Sequence, residues 1–157
     1  IAVQKSELGD DVLHARFSAK KRRYEYRSIK RRPPLTIDLN RAWCVYKNLD
    51  IEKMKNESVS FLGKHDLNAF RSAHCQSKNS IKTIDSISIK NKDEQIIFEV
   101  SAKSFLHSQV RIMIGTLVDI AKGNINKTVS EIITSKQRDF SGQTAPAHGL
   151  YLKKIEY

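Results

Sequence analysis

The sequence predicts an α+β fold with a mostly antiparallel sheet and packed helices, and three observations support that class. Several segments have the two-residue alternation of strands, and one long segment has the spacing of an amphipathic helix. The predicted strands and helices do not follow strict βα order, which favours an antiparallel sheet over a parallel one. The length of 157 residues and the hydrophobic content of 39% suit a core, so we expect residues 1–157 to form a single domain.

Five segments have the alternation, or the β-branched and aromatic composition, that is typical of strands. The predicted strands span residues 22–29, 41–46, 82–90, 95–102 and 149–157. Because side chains alternate along a strand, each of these segments has two distinct faces. The last strand is expected to place two residues on one face and three on the other, namely Leu150 and Leu152 against Tyr151, Ile155 and Tyr157.

Three segments carry helix signals. Asp50 is a suitable N-cap for the first helix, and Gly123 follows the apolar stripe of the second. Thr128 and Glu131 have the spacing of a capping box at the start of the third. The predicted helices span residues 51–62, 105–122 and 129–136. The remaining long segments are predicted as a loop with some turn of helix over residues 64–80 and as a loop over residues 139–148.

The chain is strongly basic, with 28 lysines and arginines against 17 aspartates and glutamates and a net charge of +11. Residues 1–32 hold ten of the positive and four of the negative charges, so their net charge of +6 is more than half of the excess. Such a surface attracts polyanions, and nucleic acid is the first candidate. The alternative is a basic protein whose charge has no relation to a ligand.

Other classes of protein fit the sequence poorly. No apolar run approaches the roughly 20 residues of a membrane span. The two cysteines, Cys44 and Cys75, form no CxxC pair, which fits a reducing compartment such as the cytoplasm and argues against a disulfide scaffold or a zinc site. The sequence begins on Ile1 rather than methionine, so the expectation is a processed chain or a fragment.

Three constellations could carry function. In residues 20–27, lysines and arginines surround Tyr24, as in a surface that grips phosphates and stacks a base; a solvated basic strand edge fits equally well. Arg111 lies beside the apolar stripe of the second helix, and a buried arginine needs a structural carboxylate, an active-site carboxylate or a phosphate. Residues 70–79 are rich in hydrogen-bond donors and suit either a nucleic-acid contact or an ordinary surface loop.

Four blocks together resemble the tRNA pseudouridine synthase A (TruA) family. The blocks are HARFSAKKRRYEYR (14–27), FLGKHDLNAFRSAHCQSKN (61–79), FEVSAKSFLHSQVRIMIGTLVDIAKG (98–123) and APAHGLYLKKIEY (145–157). The resemblance implies an isomerase that converts uridine to pseudouridine at positions 38, 39 and 40 in the anticodon arm of tRNA. It also implies an α+β pseudouridine synthase fold, a homodimer that holds tRNA across both subunits, and no metal or other cofactor.

The resemblance assigns roles to individual residues. Tyr24 matches the active-site tyrosine that packs against the target base, and Arg111 matches the arginine that pairs with the catalytic aspartate. The residues implied to contact tRNA are Leu13, His14, Ala15, Arg16, Phe17, Lys20, Lys21, Arg22, Arg23, His74, Cys75, Gln76, Ser77 and Lys78.

One expected feature is missing from the sequence. The family carries its catalytic aspartate in a GRTDAGVH-type motif, and none of the nine aspartates of this chain has that context. We therefore expect the chain to correspond to the C-terminal half of such an enzyme, to supply its tRNA-binding and base-stacking part, and to be inactive alone. The alternative is a non-catalytic module for RNA binding or dimerisation.

Overall fold

The computed structural model describes Val3, Ser6, residues 11–46 and residues 48–157. Ile1 lies outside the described residues, as do Lys5, Glu7 and Asp10, whose charges were counted in residues 1–32. The described part contains a six-stranded sheet with helices packed on one face, which confirms the predicted α+β class. None of its helices combines the length and the apolar content that crossing a bilayer requires.

The sheet is antiparallel except for one short pair. Its strands are β1 (Lys21–Ile29), β2 (Trp43–Cys44), β3 (Gly63–Asp66), β4 (Ile81–Lys92), β5 (Gln95–Ala102) and β6 (Leu150–Glu156). The helices are α1 (Ile51–Val59), α2 (Gln109–Ala121) and α3 (Val129–Ser135), and the 3₁₀ turns are Asn68–Phe70, Arg138–Phe140 and Ala147–Gly149. The strand order is β2-β1-β5-β4-β3, and β6 pairs with the part of β1 that β2 does not reach.

The core lies between α2 and one face of the sheet. Tyr26 of β1 and Phe98 of β5 are opposite each other in the sheet and fully buried, as are Met113 and Leu117 of α2. The apolar stripe predicted for this helix is buried, and so are most of its other residues, while Arg111 is half-buried. Burial of each such side chain stabilises the fold by roughly 1.5–3 kcal/mol before the entropy of ordering it is counted.

The helix ends follow local signals in two cases. The side chain of Asp50 accepts a hydrogen bond of 2.9 Å from Lys53 N, as expected of an N-cap. Thr128 and Glu131 form the predicted capping box, with Thr128 N donating to Glu131 Oε2 at 2.7 Å. The first helix ends at Val59, three residues before the predicted limit of 62.

The start of α2 differs from the prediction. The helix begins at Gln109 rather than at 105, because Ser108 has a left-handed backbone with φ of 60°. Gln109 Oε1 accepts from Leu106 N at 2.7 Å and closes the turn before the helix. Phe105 lies just before this turn, and its ring contacts the ring of Tyr24.

The last strand contains a bulge that the alternation did not predict. Arg23 pairs with Lys154 but Tyr24 pairs with Leu152, so Lys153 is an extra residue in β6. Ile155 then pairs with Arg22 and lies on the face of Leu152. The expectation that Ile155 shares a face with Tyr151 was therefore wrong, because one inserted residue reverses every later side chain.

The bulged Lys153 holds two carboxylates on the face of the sheet opposite the helices. Its Nζ donates to Glu25 Oε2 at 2.8 Å and to Glu99 Oε1. The side chains of Glu25 and Glu99 are 10% and 21% exposed. The hydrogen bonds from Lys153 are the main reason that the pKa of each carboxyl lies below its ordinary value of 4.5.

This cluster predicts acid sensitivity. A carboxyl whose pKa is lower in the folded state stabilises the fold above its unfolded pKa, and that stability is lost as pH falls. We expect the free energy of unfolding to fall below about pH 4.5, and Lys153→Met to reduce the size of that fall. Urea unfolding from pH 7 to 3 measures it. Lys154→Met, which removes only an exposed pair with Glu156, serves as the control; equal pH profiles for both variants would contradict the prediction.

Candidate functional site

A large open cavity lies beside the half-buried ring of Tyr24, and we call it the tyrosine cavity. It has a volume of about 990 Å³. Eight of the residues predicted from the sequence line it, namely Arg16, Phe17, Arg22, Tyr24, His74, Cys75, Gln76 and Ser77. The structure thus brings together residues from three separate segments: the turn before β1, β1 itself and the 74–77 loop.

Two tyrosines of β1 share a face but differ in accessibility. Tyr26 is fully buried, its hydroxyl donates to Pro146 O at 2.8 Å, and burial raises its pKa above the ordinary value of 10.0. Tyr24, two residues nearer the start of the strand, is only half-buried. The ring of Phe105 meets it edge-on at a centroid distance of 5.4 Å and an angle of 79°. Tyr24 therefore offers a fixed aromatic surface to the cavity.

The tyrosine cavity has a basic lining. Arg16, Arg22, Lys82 and Lys103 contribute positive charge to it. Arg22 also has a structural task, because its guanidinium donates to Lys103 O at 2.5 Å and to Arg16 O. The arginine thus ties the turn before β1 to the chain that follows β5, and the two walls of the cavity are held together.

Several predicted contact residues lie elsewhere. Lys21 and Arg23 alternate with Tyr24 along β1 and face the other side of the sheet, where Lys21 is 3.8 Å from Asp85. Five other predicted residues are exposed near the cavity without lining it, namely Leu13, His14, Ala15, Lys20 and Lys78.

A second, smaller cavity adjoins the first, and we call it the arginine cavity. It has a volume of about 650 Å³, contains Arg111 and Arg138, and shares Ser108 with the tyrosine cavity. Arg111 Nε donates to Ala145 O at 2.6 Å. Among the described residues, no carboxylate forms an ion pair with Arg111. Asp139 lines the same cavity but does not reach the guanidinium.

The position of Arg111 depends on how closely α2 approaches the loop over residues 141–146. A Cβ added to Gly115 would lie 1.8 Å from Gln143 O, so only glycine allows this contact. Gly142 N donates to Thr116 Oγ1 at 2.9 Å, and Ala145 N donates back to Arg111 O at 3.1 Å. The loop is thus bonded to α2 over more than one helical turn.

A buried aspartate and a half-buried arginine fix the same loop. Asp119 accepts from the backbone and the side-chain nitrogens of Gln143, each at 3.0 Å. Arg138 donates to Ser141 Oγ at 2.7 Å and to Gly142 O at 2.9 Å, and burial lowers its pKa. Both charged groups are hydrogen-bonded to the loop, whereas within the described part of the chain the two Nη groups of Arg111 form no hydrogen bond and can donate to a ligand in this cavity.

Sequence reasoning missed some of the lining residues. Lys82 is the second residue of β4 and Phe105 precedes α2, and both line the tyrosine cavity. The basic and aromatic segment 103–107 already carried a signal, which the predicted helix over 105–122 obscured. Lys82 carried none, because most of the other residues that line this cavity are distant from it in sequence.

Two comparisons of the sequence with known proteins identify the family of this chain. The family model described as tRNA pseudouridine synthase matches residues 58–157. The tRNA pseudouridine synthase A of Ehrlichia chaffeensis is 49% identical over 158 residues, those of Anaplasma phagocytophilum and Wolbachia pipientis wMel are 48% and 46% identical, and each match covers all of this chain and 64% of the relative. The chain therefore belongs to the tRNA pseudouridine synthase family and spans 64% of the length of these relatives.

The contact at Gly115 gives a direct test of the arrangement around Arg111. Alanine is favoured over glycine inside a helix by about 1 kcal/mol. In Gly115→Ala, however, the new Cβ meets a backbone carbonyl that cannot rotate away. We expect a net loss of about 1–3 kcal/mol in the free energy of unfolding, measured in urea.

A matched substitution distinguishes this contact from a general effect on helices. Ser130→Ala changes an exposed position of α3 and should stay within about 0.5 kcal/mol of the unsubstituted chain. A stabilised Gly115→Ala chain would contradict the close packing of α2 on the loop.

Proposed function

We propose that this chain supplies the tRNA-binding and base-stacking part of a tRNA pseudouridine synthase that acts on uridines 38, 39 and 40 of the anticodon arm. The observation that carries the proposal is the position of Tyr24 on the wall of a basic cavity that adjoins the cavity of Arg111. In the proposed complex, a homodimer holds each tRNA across both subunits. Metal and cofactor play no part in the proposed reaction.

The target base must leave its stack before it can react, at a cost of a few kcal/mol. A pocket that stacks the extruded base offsets that cost. Tyr24 is suited to this task because its ring is half-buried and its edge contact with Phe105 fixes the plane. Tyr26 is unsuited because it is buried and bonded to Pro146.

The reaction breaks the bond between N1 of uracil and C1′ of the ribose, rotates the base, and joins C5 to C1′. C5 loses its proton and N1 gains one, so the product is an isomer of uridine. In the proposed mechanism an aspartate is the nucleophile, either at the sugar or at the base. Arg111 keeps that carboxylate ionised and oriented through its Nη groups, while its Nε stays bonded to Ala145 O. We propose that this aspartate comes from a segment outside these 157 residues.

The basic residues grip the RNA backbone and set its register rather than its sequence. Those proposed to do so are Arg16, Lys20, Lys21, Arg22, Arg23 and Lys78, joined by Lys82 and Lys103 of the cavity wall. Polar and apolar contacts come from Leu13, His14, Ala15, Phe17, His74, Cys75, Gln76 and Ser77. Since Lys21 and Arg23 face away from Tyr24, their proposed phosphates belong to a different stretch of the tRNA from that of Arg22.

Substitution of Tyr24 tests the stacking role. The protein is a chimera in which these 157 residues replace the matching segment of the Ehrlichia chaffeensis relative. We expect Tyr24→Ala to lower the rate of pseudouridine formation by roughly 100-fold or more while tRNA affinity stays within several-fold. Mass spectrometry of tRNA nucleosides measures the rate.

Two further variants control this experiment. Tyr24→Phe keeps the ring and isolates the contribution of the hydroxyl. Tyr46→Ala removes a tyrosine that is 73% exposed and lies outside the tyrosine cavity, so its rate should equal that of the unsubstituted chimera. A Tyr24→Ala chimera with near-normal yield would exclude stacking on Tyr24.

The origin of the nucleophile has its own test. The purified 157-residue chain should form no pseudouridine in tRNA, because Arg111 has no carboxylate partner among the described residues. Asp139→Asn in the chimera should leave the rate unchanged, although Asp139 lines the arginine cavity. Pseudouridine formed by the chain alone would overturn the proposal, and its loss on Asp139→Asn would identify Asp139 as the nucleophile.

A second candidate function is a non-catalytic module for RNA binding or dimerisation. The observation that favours it is again the unpaired guanidinium of Arg111 in the described part of the chain. Salt-dependent binding to an anticodon stem-loop, compared with a mismatched hairpin, separates selective binding from general attraction to RNA. An active chimera argues for the enzyme, and a chimera that binds tRNA without turnover argues for the module.

A further inference from the structure

The ring of Phe17 is 73% exposed at the mouth of the tyrosine cavity. A single exposed apolar side chain is ordinary on a protein surface. The surroundings of this ring are unusual in two respects: the backbone that carries it is firmly held, and most of its charged neighbours are positive.

The turn that carries Phe17 is held by several independent hydrogen bonds. Within the turn, the backbone nitrogens of Phe17 and Ser18 donate to His14 O at 3.1 and 2.8 Å. From β1, Arg22 donates to Arg16 O, and from the end of the chain, the hydroxyl of Tyr157 donates to Ala15 O at 3.0 Å. The exposed ring is therefore presented in one place before any ligand arrives.

The ring has polar and cationic neighbours rather than an apolar patch. The imidazole of His14 lies 4.4 Å from the ring centroid, and the guanidinium of Arg16 lies 5.6 Å from it. Arg22, Lys82 and Lys103 line the same cavity. An apolar protein partner would have to leave these charges unpaired, whereas a nucleotide supplies a flat ring for Phe17 and a phosphate for the cations.

The size of the cavity leaves space for more than one base. Its volume of about 990 Å³ lies at the upper end of the range for ligand pockets, about 300–1,000 Å³. Tyr24 and Phe105 form one aromatic wall, and they already contact each other. Phe17 is a separate ring on the lining, and its contacts are to His14 and Arg16 rather than to Tyr24.

We propose that Phe17 is a second stacking platform, which holds the base next in the strand to the uridine that stacks on Tyr24. This proposal rests on the proposed function, because it takes the ligand of the tyrosine cavity to be a nucleotide. It adds a subsite for a flanking, unpaired base of any identity, since every base has a π-face. Stacking of this flanking base on Phe17 fixes the RNA backbone on one side of the extruded uridine.

The experiment uses the 157-residue chain and an anticodon stem-loop RNA that carries the fluorescent base 2-aminopurine beside the target uridine. Stacking on Phe17 should quench the fluorescence on binding. Phe17→Tyr keeps a ring and should retain both the quenching and the affinity. Phe17→Leu keeps an apolar side chain without a π-face, and we expect it to lose the quenching and roughly 5- to 150-fold in affinity.

Two controls distinguish the loss of stacking from the loss of any exposed apolar side chain and from a loss of folding. Leu39→Ala changes a side chain that is 61% exposed in the loop between β1 and β2, and it should leave both signals unchanged. Circular dichroism should give the same spectrum and melting temperature for Phe17→Leu as for the unsubstituted chain, because the ring is not part of the core. In the chimera, Phe17→Leu should raise KM for the stem-loop while kcat stays within several-fold.

The outcomes distinguish this proposal from the proposed function. Full affinity and quenching in Phe17→Leu overturn the platform, as does an unsubstituted chain that binds without quenching or does not bind. In a further outcome, the chain shows quenching that depends on Phe17 while the chimera forms no pseudouridine. That pair of results would support the stacking role of Phe17 and contradict the catalytic proposal.

Discussion

Close contact between α2 and the 141–146 loop is the constraint on which both cavities depend. The absence of a side chain at Gly115 lets Gln143 O approach the helix axis, and the reciprocal bonds between Arg111 and Ala145 join the two segments. Pro146 at the end of the loop then accepts from Tyr26 of β1. One chain of contacts therefore runs from the helix that carries Arg111 to the strand that carries Tyr24, and the two side chains keep a fixed relation.

The positively charged residues of the chain have different roles in different parts of the fold. The guanidinium of Arg138 donates hydrogen bonds to the 141–146 loop, and that of Arg22 donates to two backbone carbonyls. Both arginines therefore have a structural role. The basic run 30–32 lies beyond the end of β1, nine residues from Lys21 at the cavity end. The residue of β1 that lines the cavity nearest to this run is Tyr24, and at about 3.3 Å per residue Lys30 lies roughly 20 Å from it. The positive charges of residues 16–32 are therefore divided between two ends of the sheet.

Local signals predicted most of the elements, and contacts distant in sequence account for the rest. The stripe of α2 and the capping box of α3 were predictable because each depends on residues within a few positions. The strand β3 has no alternation of its own and exists because β4 pairs with it. The bulged residue Lys153 donates hydrogen bonds to Glu25 and Glu99, which lie on two other strands. In the site, spacing indicated that Arg111 needs an anionic partner, whereas the contact between Phe105 and Tyr24 joins residues 81 positions apart and had no local signal.

The different tasks of Tyr24 and Tyr26 follow from their places in one strand. Both point to the helix face, but Tyr26 lies opposite Phe98 and beneath Gly149, whose added Cβ would lie 2.7 Å from the tyrosine ring. Tyr26 is thereby enclosed and its hydroxyl is occupied, so it serves the core. Tyr24 lies two residues earlier in β1, and the chain beside it is the segment before α2, which turns at Ser108. The helix that starts late thus leaves one tyrosine uncovered, and an aromatic ring that is rigid yet accessible is what an extruded base requires.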